Sequence, residues 1–77
     1  MAYIDPSLQE LSDNDAAYNV LITLKDAAKL PEQLANKGQF VLKDKIYAAN
    51  ITAAQIHDLS NNAAIDAIEP DTEMGIL

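Results

Sequence analysis

The sequence predicts an α+β fold of four strands and two helices, and three observations predict it. Tyr18, Val20, Ile22 and Leu24 alternate with Asn19, Leu21 and Thr23, the period of a strand. Thr52 and Gln55 have the spacing of a capping box at the start of a helix. Hydrophobic "AIDAI" then runs into Glu69-Pro70-Asp71, where a proline that cannot donate to a ladder ends the last strand.

The elements follow in chain order. Residues 1–16 are acidic and contain Pro6, and they read as a loose lead-in with at most a frayed turn at Leu8 and Leu11. The first strand comes next, and Leu21 on its second face implies that both faces are partly covered. Pro31 suits the first position of a helix, Glu32 its first turn and Lys37 its last. Gly38 would end it in the left-handed conformation, giving a helix over about 31–37, with Leu30 and Leu34 pointing one way at a spacing of four. Phe40 to Leu42 and Ile46 to Ile51 read as a hairpin around Lys43-Asp44-Lys45. The second helix opens at Thr52 and buries Ala53, Ile56 and Leu59, with Asn61 or Asn62 as its left-handed end. The order strand, helix, strand, strand, helix, strand is the ferredoxin-like βαββαβ pattern, an antiparallel four-stranded sheet with two helices on one face. That pattern implies no function by itself.

Composition narrows the function classes. The chain has 77 residues, no cysteine and one histidine, so neither disulfides nor a Cys/His zinc site can staple the fold. Much of its 49% hydrophobic content is alanine, and the core is expected to be thin. Net charge is −7, and all five lysines fall between Lys25 and Lys45. Such a surface repels phosphate backbones and anionic lipid, so nucleic acid and membrane are not expected partners. No stretch has the length of a membrane span, and the N-terminus lacks the basic and apolar regions of a secretory signal.

Enzyme chemistry finds no support. With glycine only at Gly38 and Gly75 there is no phosphate-cradling loop, and Ser7, Ser12 and Ser60 have no nucleophile-elbow context. His57 reads as a half-exposed helix residue. Asp66, Glu69 and Asp71 could attract a cation only weakly, since they lack the spacing of a calcium loop. No cofactor is expected.

The second half of the chain is more specific. "IYAANITAAQIHDLSNNAAIDAIEPD" resembles the C-terminal half of the inhibitor I9 family, the propeptides of subtilisin-like serine proteases and the free-standing inhibitors built on the same domain. The resemblance rests on Ile51-Thr52, Ile56, Leu59, Ile65, Ile68 and Glu69-Pro70-Asp71, followed by a short tail, and it covers about residues 17–77. It implies a propeptide-like domain over 17–71 and an extended inhibitory tail over 72–77. One sheet face would pack on two parallel helices of a subtilisin-like protease, with Glu69 and Asp71 capping their N-termini. The tail, Glu73, Met74, Gly75, Ile76 and Leu77, would lie in the cleft as a cleaved product does, with Leu77 in the first pocket and Met74 in the fourth. The protein would be a monomer when free and no enzyme. A free-standing inhibitor would be cytoplasmic. An excised propeptide would be extracellular and would also act as a folding chaperone for its protease. The alternative is a small ferredoxin-like interaction or regulatory domain with no protease partner.

Overall fold

The computed structural model describes residues 2–10 and 16–71. It is an α+β fold around one five-stranded mixed sheet. The elements are β1 (Tyr3–Ile4), α1 (Pro6–Gln9), β2 (Ala17–Leu24), β3 (Gly38–Leu42), β4 (Ile46–Thr52), α2 (Ala53–Leu59) and β5 (Ile65–Pro70). The strand order is β1-β5-β2-β4-β3. In β5-β2-β4-β3 each strand is antiparallel to its neighbour, and β1 adds to β5 in parallel. The sheet therefore has one strand more than the four expected, and its two α-helices are α1 and α2.

The lead-in is the first departure from expectation. Residues 3–4 pair with β5, and Asp5 starts a single helical turn. The Asp5 carboxylate accepts from Ser7 Oγ (2.8 Å) and from the Ser7 backbone N–H (2.9 Å), which hold its pKa below the usual aspartate value. Pro6 stands at the start of the turn, where a missing N–H costs nothing. Gln9 closes the unit by donating to the Ile4 carbonyl at 2.6 Å. Ile4 and Leu8 are buried, which is what holds so short a segment in place.

The first expected helix is the second departure. Over 31–37 the structure has only a 3-10 turn, Glu32–Leu34. Ala35 leaves the helical region at ψ 133°, and Asn36 takes a φ of 67°. The Leu34 carbonyl accepts from Lys37 N–H (3.0 Å) and from the Tyr47 hydroxyl (2.8 Å). Leu34 is itself buried. A single anchored leucine and a tertiary hydrogen bond thus replace a helix too short to repay its nucleation. The positive φ falls on Asn36, and Gly38 has a different role. A Cβ built on it would lie 1.8 Å from the Ala48 carbonyl oxygen, so glycine is needed for β3 to approach β4.

The capping box is present in full. Gln55 N–H donates to Thr52 Oγ1 (3.2 Å), and Thr52 N–H donates to Gln55 Oε1 (2.9 Å). Neither Asn61 nor Asn62 adopts positive φ. The helix ends instead at Ser60, whose hydroxyl donates to the His57 carbonyl, and Asn62 Oδ1 accepts the Ala64 N–H.

One core lies on one side of the sheet. Val20, Ile22 and Leu24 of β2, Ile51 of β4, and Ile65 and Ile68 of β5 meet Leu8 of α1, Leu34, and Ile56 and Leu59 of α2. At the core's margin, Phe40 meets Tyr47 edge to face at 5.0 Å. Among the described residues no helix is long and apolar enough to cross a membrane.

Candidate functional site

Both helices and the 3-10 turn pack on one side of the sheet, so among the described residues the other side is open. Strand register shows what it presents, because paired residues share a face. Tyr3, Ala67, Thr23, Ile46 and Leu42 are successive partners and form one row across all five strands. This row is mostly apolar, and Tyr3 is 53% exposed. The next row is Glu69, Leu21, Ala48 and Gln39. Half-buried Leu21, expected to be partly covered, is one of the apolar residues facing out here.

The third row is polar. Asn19 pairs with Asn50, whose side-chain amide donates to Asn19 Oδ1 at 2.9 Å. Asp71 N–H donates to the Asn19 carbonyl (3.0 Å) on one flank, and Asn50 N–H donates to the Lys37 carbonyl (3.0 Å) on the other. A shallow depression of about 510 Å³ runs along this end of the sheet, between Asp71 and the Lys37–Gln39 segment. The open face thus grades from apolar to polar, with carboxylates at the end of β5.

Glu69 and Asp71 both belong to this face. Glu69 pairs with outward-facing Leu21, and Asp71 lies two residues on, beside Asn19. Pro70 between them pairs with core residue Val20. Because Asp71 N–H points to β2, the position where Pro70 lacks a donor points away from β2, beyond the last residue of β1. The proline therefore breaks no ladder bond. Glu69 is exposed, whereas Asp71 is half-buried and its Oδ1 is buried with no hydrogen-bond partner. Closed off from solvent, that oxygen is not itself a contact surface.

Of the residues expected to act, Glu69 and Asp71 come together, while Glu73, Met74, Gly75, Ile76 and Leu77 lie outside the described residues. Among the described residues no three carboxylate or imidazole groups gather to hold a metal ion, so Asp66, Glu69 and Asp71 do not converge. His57 is half-buried on α2. The apolar row escaped sequence reasoning. Tyr3 sat in a segment read as loose, and Ile46 and Leu42 share a face only because a bulge in β3 shifts the register.

No protein-family model, curated protein or solved structure matches the chain.

Proposed function

We propose that this protein inhibits a subtilisin-like serine protease, with the open sheet face against two parallel helices of the enzyme and the tail in its cleft. The observation that carries the reading is the pair Glu69 and Asp71, together on the one sheet face that no helix covers among the described residues. A helix N-terminus offers unpaired N–H groups and partial positive charge, which is the complement such carboxylates need. The apolar row supplies the area that two docking helices would bury. In this reading β5, β2, β4 and β3 are a ferredoxin-like unit to which β1 and α1 have been added, and whose first helix has shrunk to a 3-10 turn.

Residues Glu73 to Leu77 would then add to the cleft as an extended strand. Main-chain bonds would hold them, with Leu77 and Met74 in apolar pockets. The terminal carboxylate would stand where a cleaved acyl product stands, beside the catalytic serine, and no residue of this chain would do chemistry. The sheet contact would keep this product-like end from leaving.

The test is inhibition of a purified subtilisin by the full chain and by a chain lacking Met74–Leu77, each shown folded by circular dichroism. Loss of inhibition on truncation is expected. Equal inhibition by both chains would sink the tail mechanism. No inhibition by either would favour the second reading, an interaction domain without a protease partner, which has one observation on its side: the apolar row spans the sheet without help from the tail.

A further inference from the structure

The edge strand β3 lies at the far side of the sheet from β5 and is unlike the other strands. All five of its residues are exposed. Phe40 is 37% exposed, Val41 61% and Leu42 55%, three consecutive apolar residues at an unpaired sheet edge. Such an edge is a template for another strand. The alternation set by the Asn50 N–H to Lys37 carbonyl bond turns the N–H and C=O groups of Gly38 and Phe40 outward. Neither residue makes another hydrogen bond among those described.

Charge decides what can fill the edge. Lys37 and Lys43 bracket β3, six positions apart, and neither is ion-paired among the described residues. The 25–45 segment holds all five lysines against three carboxylates, Asp26, Glu32 and Asp44, while the rest of the chain carries nine carboxylates and no base. A second copy pairing antiparallel through β3 about Phe40 would bring Lys37 of each chain against Lys43 of the other. That arrangement repels, and the bulge between Phe40 and Leu42 bends the strand as well. The same two lysines attract an extended segment with a carboxylate at each end.

We propose that β3 is a docking edge for an acidic partner segment that adds as a sixth strand. Its apolar residues would lie along the edge beside exposed Val41 and Leu42, and its carboxylates, about 20 Å apart, the rise of six residues, would be within reach of the long side chains of Lys37 and Lys43. The proposal shares Leu42 with the apolar row but rests on the strand's edge and its lysines, and its peptide test involves no protease, so its failure is distinguishable from that of protease inhibition.

The probe is the peptide acetyl-Glu-Thr-Val-Thr-Val-Thr-Glu-amide, titrated into the full ¹⁵N-labelled chain. Slowed hydrogen exchange at the Gly38 and Phe40 amides, but not at inward-facing Gln39, is the expected result. Lys37→Glu with Lys43→Glu should weaken binding at least about tenfold, and the same variant should bind the peptide with lysine at both ends. Equal binding of both peptides by the unaltered chain would overturn the proposal, as would no protection at millimolar peptide. Concentration-dependent protection of Gly38 and Phe40 without peptide would also overturn it, by assigning the edge to a second copy.

Discussion

Glu69 and Asp71 show how much a single register assignment decides. Read as letters, they are two carboxylates beside a proline. Placed in β5, they share a face because strand side chains alternate, and the intervening Pro70 costs no ladder bond. Under the protease reading, Glu69→Ala with Asp71→Ala removes two charge-assisted caps. Binding should weaken by about 1–3 kcal/mol, roughly 5- to 150-fold in the inhibition constant. The melting temperature should stay nearly constant, since Glu69 is exposed and the Asp71 oxygen has no partner to lose. Unchanged inhibition would remove both residues from the interface. Ala27 presents a different residue-scale problem. It sits in the turn closed by Ala28 N–H to the Lys25 carbonyl (3.0 Å), with a φ of 65°. A Cβ in the left-handed region costs about 1–2 kcal/mol, and glycine avoids it while ordering a more flexible chain. Ala27→Gly should therefore stabilise the fold by about 0.5–1 kcal/mol, read as a rise in the urea midpoint. A fall would mean that the turn tolerates alanine without strain.

At the scale of elements, legibility in the sequence follows the length and locality of the signal. The alternation of β2 spans eight residues and the capping box is local chemistry, so the residues alone reveal both. β1 has two residues and α1 four, too few for any period to show, and each is held by tertiary burial of one side chain, Ile4 or Leu8. The stretch 31–37 misleads for a related reason. Its proline, glutamate and lysine are correct helix punctuation, but the Leu34 carbonyl is claimed by Tyr47, thirteen residues away. In the candidate site, the shared face of Glu69 and Asp71 follows from strand alternation two residues apart. The row from Tyr3 to Leu42 was not readable, because it exists only through pairing across five strands. Gly38 tests the β3–β4 pairing directly. Gly38→Ala places a methyl against the Ala48 backbone, which cannot yield as a flexible side chain would. The expected result is local: β3 amides lose hydrogen-exchange protection while β2 and β5 keep theirs, with a stability loss of about 1–3 kcal/mol. Uniform loss across the sheet would show that β3 does not open separately.

At the scale of the whole molecule, the core is small and its closure is shared. Leu8 is 4% exposed and brings the N-terminal turn onto α2 and β5. Leu8→Ala should cost about 2–4 kcal/mol, the usual range for emptying a buried leucine site. A domain of this length has roughly 4–11 kcal/mol in all, so the variant should melt well below the parent and, at the low end of that range, be partly unfolded at 37 °C. This separates folding from binding in a way the surface variants do not. If the folded domain is the species that binds the protease, the apparent dissociation constant of Leu8→Ala rises by the reciprocal of its folded fraction and no further. Saturating protease should then restore the fold, because a ligand specific for the folded state stabilises it by mass action. The tail truncation behaves oppositely, with an unaltered melting temperature and lost inhibition. Measuring thermal unfolding and inhibition for both variants places each on its own axis. Should Leu8→Ala lose more inhibition than its unfolded fraction explains, the loss would have to reach the open face through β1, which α1 follows directly and whose Tyr3 stands on the apolar row.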